Sequence, residues 1–143
     1  MKLAIGSDHA GYALKEVIKE YLAQRNEQIK DFGTYSEDST DYPDYAHPVA
    51  TSVETGESEL GILICGSANG VCMTANKHSG IRAGLSWTPE IAELARLHNN
   101  ANIVCIPSRF VSEQTGIDIV TTFINASFEG GRHQKRVDKI ACY

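Results

Sequence analysis

Cys65-Gly66-Ser67-Ala68-Asn69-Gly70 concentrates the chemistry of this chain. A reactive thiol sits at the end of an apolar run and is followed by a loop with two glycines that opens a helix. Glycines let the backbone approach a ligand, and the first N–H groups of a helix point outward without partners. The helix dipole adds partial positive charge. Such a turn makes a hole for an anion, either a phosphate or an oxyanion formed during reaction. The same position is expected to lower the pKa of the Cys65 thiol. Ser67 stands close enough in sequence to donate a hydrogen bond to that sulfur or to a bound oxygen. Taken alone, the segment is equally compatible with a tight turn around a buried cysteine. It is not a P-loop, because the Lys-Ser/Thr ending is missing.

Other groups are candidates because of where they fall. Asp8-His9 follows the first apolar run, where an Asp is commonly only a helix cap. His98 ends a helical stripe and leads into the amides Asn99, Asn100 and Asn102. It reads either as a favourable charge at a helix end or as a proton donor facing a site, in its own or a neighbouring subunit. Arg132 and Arg136 are four residues apart, so they share one face of a helix. With His133, Lys135 and Lys139 they form the one basic patch, and two such arginines suit a phosphate dianion. Arg109, at a strand end, can join them. Tyr42 closes a polar loop and by spacing alone is a surface aromatic. The five histidines show no HxxxH, HExxH or Cys/His ligand spacing, so no metal is expected. No GxGxxG marks a dinucleotide site.

These groups need elements to position them, and the chain alternates strand-like and helix-like segments from end to end. Strands are expected at Leu3–Ile5, Ile29–Phe32, Leu60–Cys65, Ile81–Leu85 and Asn102–Ile106. Leu60–Cys65 is apolar on both faces, as a central parallel strand must be. Helical spacing begins at Leu14 and continues through Val17, Ile18, Tyr21 and Leu22. A second helix carries Ala46, Val49, Ala50 and Val53. A third is expected over Val71–Lys77. The fourth starts at Thr88-Pro89 and carries Ile91, Leu94, Ala95 and His98 on one face. The fifth follows Ser112, and the last runs from Arg132 to about Ala141 after a Gly130-Gly131 hinge. The stretch from Thr34 to Asp41 is expected to be mobile. Five strands alternating with helices predict an α/β, doubly wound, Rossmann-like domain over 1–143, a parallel sheet with helices on both faces. Ligands then bind beyond the carboxyl ends of the strands, where Asp8, Cys65 and Arg109 fall.

Composition narrows the function classes. The 143 residues are 42% hydrophobic and 22% charged, with a formal net charge of −5. That charge argues against nucleic acid or an anionic membrane as a partner. No apolar stretch is long enough to span a bilayer, and the N-terminus does not read as a signal peptide. A cytoplasmic protein is expected. The four cysteines form no CxxC pair, and in a reducing compartment each is by default a small buried hydrophobe.

The motifs GSDHAGYALK, DYPDYA, GILICGSANG with TANK, GIRAGL, LHNNAN, PSRF and EGGRHQKRV occur in this order along the chain. With them the sequence resembles the ribose-5-phosphate isomerase B family, which also includes the galactose-6-phosphate isomerase subunits. The resemblance implies interconversion of ribose 5-phosphate and ribulose 5-phosphate through a cis-enediolate. It makes Cys65 the base, supported by Ser67, with the amides of Gly66, Ala68, Asn69 and Gly70 around the enediolate. It makes His98 the ring-opening group, assisted by Asp8. Tyr42 and Asn99 would hold sugar hydroxyls, and His9, Arg109, Arg132 and Arg136 the phosphate. It implies a homodimer, or a dimer of dimers, whose sites are shared between subunits, with no cofactor. The family often has Gly at the position of Ala68, whose φ is taken to be negative here. Isomerisation of a six-carbon phosphate such as allose or galactose 6-phosphate is the nearest alternative. A non-catalytic sugar-phosphate-binding module and a flavodoxin-like nucleotide-binding protein stand further off.

Overall fold

Parallel strands need crossovers, and each crossover here is a helix. The computed structural model, which describes residues 1–142, contains one sheet of five parallel strands. They are β1 (Lys2–Ser7), β2 (Gln28–Asp31), β3 (Leu60–Cys65), β4 (Ala83–Leu85) and β5 (Ile103–Pro107), in spatial order β2-β1-β3-β5-β4. The connecting helices are α1 (Tyr12–Gln24), α2 (Pro43–Glu54), α3 (Asn69–Ala75), α4 (Pro89–Asn99) and α5 (Glu113–Asn125), followed by a short α6 (Gln134–Val137). The expected α/β, doubly wound sandwich is thus the fold.

Alternation along the strands divides the core in two. Leu3 and Ile5, Leu60, Ile62 and Ile64, and Val104 and Ile106 face α1, α4 and α5. Ala4, Leu63, Cys65, Ile103 and Cys105 face α2 and α3. Every residue of β3 is buried, as a strand covered on both sides requires. The path from β1 goes out to β2, returns to β3 and continues on the other side, so strand order reverses between β1 and β3. A crevice opens at the carboxyl ends of a sheet at such a point.

Several elements differ from expectation. α3 begins two residues early, at Asn69, and ends at Ala75 rather than Lys77. The fourth strand is only Ala83–Leu85. α4 buries Ala92, whereas Leu94 is exposed, because the helix turns its small residues toward α5. The expected last helix over 132–141 is a 3-10 turn at Gly131–His133 followed by four α-helical residues. It has no side-chain cap and buries nothing in α6, and so short a helix does not propagate without packing. The loop expected to be mobile is tied at both ends. Ser7 N–H donates to Gly33 O and Thr34 N–H to Ser7 O, each at 2.7 Å, and Thr40 N–H donates to His9 Nδ1 at 3.1 Å. Beneath it Lys15 is fully buried, with Nζ 2.7 Å from Asp31 Oδ2 and the rings of Tyr12 and Tyr35 above it.

β4 is an edge strand, and its outer side is occupied at its first residue. Asn76 accepts from Ala83 N–H at 2.8 Å and donates to Ala83 O at 3.0 Å. A side-chain amide thereby stands in for a neighbouring strand.

Gly11 sets how closely the chain after β1 approaches β3. A Cβ on Gly11 would lie 2.5 Å from Ile64 O and 2.7 Å from Ile64 C, which is main chain that cannot swing away. Gly11→Ala is expected to destabilise the fold by about 2–3 kcal/mol, measured by urea unfolding. A loss below about 0.5 kcal/mol would show that the approach is not tight.

Candidate active site

The crevice between β1 and β3 holds the thiol. Cys65 is the last residue of β3 and Ser7 the last of β1. Parallel register pairs Ser7 with Ile64, so the residues after β1 lie beside the end of β3. Asp8 caps the 3-10 turn His9–Gly11, its Oδ1 accepting from Gly11 N–H at 3.1 Å. That bond leaves Oδ2 free, and the Cys65 Sγ–H donates to it at 3.2 Å. Asp8 therefore caps a turn, as expected of an Asp there, and also meets the thiol. Both residues are buried, Cys65 at 8% and Asp8 at 6% exposure.

This arrangement corrects the expectation of an acidified thiol. Burial pushes the Cys65 thiol up, and the Asp8 carboxylate pushes it further, from the ordinary 9.0 to about 11. Backbone N–H groups of Gly66 and Ala68 act in the opposite direction, but they do not prevail. A helix of seven residues has little dipole to add. In a single chain the resting form is the thiol.

The loop after Cys65 corrects two further expectations. Ala68 has φ +61° and ψ 2°, the left-handed region rather than the negative φ expected. An L-residue there costs roughly 1–2 kcal/mol, and the fully buried methyl of Ala68 in the α2/α3 core offsets part of it. Ser67 does not reach the sulfur. It is exposed, and its Oγ accepts from Asn69 N–H at 3.4 Å instead.

The turn is braced from two sides. A Cβ on Gly66 would meet the Arg109 guanidinium at 3.0–3.2 Å, and one on Gly70 would meet the Tyr42 ring at 2.5–2.8 Å. Arg109 thus lies on the Gly66 backbone and Tyr42 on that of Gly70. Ser108 adds a tie that the sequence did not single out, donating to Ala10 O at 2.9 Å. The acceptance by His9 Nδ1 of the Thr40 N–H puts the ring proton on Nε2. Beside the loop a cleft of about 510 Å³ is walled by Ser67, Asn69, Leu85, Trp87, Pro107 and Phe110. Trp87 is 51% and Phe110 74% exposed at its rim.

The remaining candidates lie elsewhere. α4 starts beyond the carboxyl end of β4 and returns toward the amino end of β5. Its 11 residues rise about 16 Å, which carries His98 and Asn99 to the opposite end of the sheet from Cys65. The C-terminal segment follows them there. Glu129 N–H donates to Leu97 O at 3.0 Å, and the rings of His98 and His133 stack. Arg132 and Arg136 are exposed on that segment. One end of the sheet therefore gathers Asp8, His9, Tyr42, Cys65 to Gly70, and Arg109. The other gathers His98, Asn99, Arg132 and Arg136. His98 Nε2, Glu129 Oε2 and His133 Nε2 are also neighbours, a grouping no sequence spacing announced.

The comparisons agree on one kind of protein. Residues 3–140 match the family model described as Ribose/Galactose Isomerase. The ribose-5-phosphate isomerase B of Escherichia coli (strain K12) is 45% identical over 139 residues, covering 97% of this chain and 93% of that one. The crystal structure of a ribose 5-phosphate isomerase from Thermotoga maritima superposes with a TM-score of 0.95 at 48% identity, covering 97% and 96%. That of ribose-5-phosphate isomerase B from Mycoplasma genitalium with bound ribulose-5-phosphate gives 0.92 at 48%, covering 96% and 92%.

Two pH effects follow from the Cys65–Asp8 contact. Asp8→Asn is expected to lower the midpoint for iodoacetamide alkylation of Cys65, followed by peptide mass spectrometry, below the value near 11 of the parent chain. An unmoved midpoint would clear Asp8 as a cause. Because the folded chain keeps a proton that the unfolded thiol sheds, the stability this site contributes is present below pH 9 and is lost as pH rises through about 11.

Proposed function

This chain belongs to the ribose/galactose isomerase family, and on that premise we propose that it interconverts ribose 5-phosphate and ribulose 5-phosphate with Cys65 as the carbon base. The observation that carries the reading is the Cys65 thiol held 3.2 Å from Asp8 at the crevice where strand order reverses. Isomerisation takes a proton from C2 of the open aldose, passes through an enediolate and returns a proton to C1. C1 is reduced and C2 oxidised, so no outside redox partner is needed. A base beside main-chain N–H groups suits that sequence, since the amides after Cys65 can hold the enediolate oxygens.

The two-ended distribution of the candidates supports a site made by two copies of the chain. His98, Asn99, Arg132 and Arg136 of one copy would face Cys65 and Asp8 of the other. The exposed Trp87 and Phe110 beside the cleft fit a surface that a second copy covers. A base at neutral pH needs a lower pKa than burial and Asp8 leave to Cys65 in one chain, and cations arriving from the partner act in that direction. His9, Arg109, Arg132 and Arg136 would hold the phosphate, whose binding energy orients the reacting carbons. Tyr42 and Asn99 would take sugar hydroxyls, and His98 would open the furanose. The four free cysteines suit the reducing cytoplasm, and no described helix is long and apolar enough to cross a membrane.

Cys65→Ala is expected to abolish isomerisation of ribose 5-phosphate while phosphate-ligand binding, measured by calorimetry, stays nearly intact. Retained turnover would remove the thiol as base. Arg136→Ala is expected to raise KM about tenfold or more with a smaller change in kcat, and an unchanged KM would dismiss the clamp. Mixing and refolding equal amounts of the inactive Cys65→Ala and His98→Asn chains is expected to restore about a quarter of parental activity through mixed dimers with one intact site. No recovery would place each site within one chain.

A further inference from the structure

His98 ends α4 with a second imidazole against its face. The ring of His133 lies on it with centroids 4.2 Å apart and planes 14° from parallel. Glu129 Oε2 stands 3.3 Å from His133 Nε2 and 4.0 Å from His98 Nε2. Main chain fixes the backing pair, since Glu129 N–H donates to Leu97 O and His133 N–H to Gly130 O, each at 3.0 Å. His133 is 7% exposed, and its Nε2 makes no hydrogen bond among the described residues. The side chain of His98 keeps 37% of its surface accessible. One ring is built into the protein and the other rests on it with its far face open.

Three donors within 4.8 Å of one another would satisfy a metal ion by spacing. Near-parallel rings, however, aim their in-plane lone pairs side by side rather than at one point, so the cluster is better built to hold a ring than an ion. A histidine at a helix end otherwise swings about two side-chain torsions. Contact with a flat partner restricts that swing, and a carboxylate near both Nε2 edges favours the orientation that turns them toward it.

We propose that His133 and Glu129 are positioning residues for His98, holding its ring in the orientation from which it moves the protons of furanose opening. This rests on the isomerase reading above. Opening ribose 5-phosphate breaks the C1–O4 bond, removes the proton of the C1 hydroxyl and places one on O4, with no change of oxidation state. A misdirected imidazole slows that step without touching the carbon chemistry at Cys65. Ribulose 5-phosphate separates the two steps. Its carbonyl is at C2 and its O5 carries the phosphate, so it forms no furanose, and exchange of its C1 proton needs only the carbon base.

The test compares two rates in the whole enzyme: turnover of ribose 5-phosphate, and exchange of solvent deuterium into C1 of ribulose 5-phosphate followed by proton NMR. His133→Ala and Glu129→Gln are each expected to raise the ratio of exchange to turnover about tenfold. His133→Phe, which keeps a flat ring under His98, is expected to bring the ratio back to within about threefold of the parent. A ratio unchanged in both the Ala and Gln variants overturns the proposal, as does an equal fall in both rates, the mark of a general structural defect. Glu129 is exposed, so its variant decides the matter even where His133→Ala folds poorly. Parent protein that neither turns over ribose 5-phosphate nor exchanges C1 of ribulose 5-phosphate removes the isomerase reading itself, whereas exchange that survives in Cys65→Ala removes only Cys65 as the carbon base.

Discussion

The contact between the Cys65 sulfur and the Asp8 carboxylate depends on the pairing of two strands that the chain visits at different times. β1 and β3 pair in parallel with Ser7 opposite Ile64, so the chain leaves both strands at one level and the next residue of each meets the other. A slip by one residue would turn Cys65 to the opposite face of the sheet. Gly11 lets the chain leaving β1 pass against Ile64, and Lys15 with Asp31 closes the floor below the loop that carries Thr40 to His9. These features keep an acid and a thiol together under cover, where the thiol holds its proton.

Much of the fold was legible because its signals are local. The apolar run Leu60–Cys65 could only be a covered strand, and Thr88-Pro89 and Ser112 do cap α4 and α5. The part of the site after β1 and β3 was legible for the same reason, since strand ends locate it. The thiol's protonation was not, because it depends on burial and on a carboxylate 57 residues away in sequence. The left-handed turn at Ala68 was hidden by its residue type, and the contact of Ser67 with Asn69 N–H rather than the sulfur has no signal in the spacing. The last helix is shorter than its spacing suggests, because Gly130 and Gly131 take positive φ, a 3-10 turn follows and the α-helix then lasts four residues. Stacking of His133 on His98 joins residues 35 positions apart with no motif to announce it.

Every helix of a parallel sheet returns to the amino ends of the strands, so residues at helix ends are carried away from residues at strand ends. Proton-transfer groups at both places cannot meet within one chain of this topology. His98 and Cys65 stand in that relation, and the basic C-terminal segment sides with His98. Within one chain the fold thus separates Cys65, Asp8, His9 and Arg109 from His98, Asn99, Arg132 and Arg136.

The amide of Asn76 has a consequence for how copies of this chain can associate. By occupying both hydrogen-bonding groups of Ala83, it seals the main chain at the start of the β4 margin against a sixth strand. Growth of one sheet through several molecules, the route that leads toward fibrils, is obstructed there by one side chain. Molecules that gather on this flank must meet through the shapes and charges of their side chains, which vary from sequence to sequence and so allow like to be told from unlike.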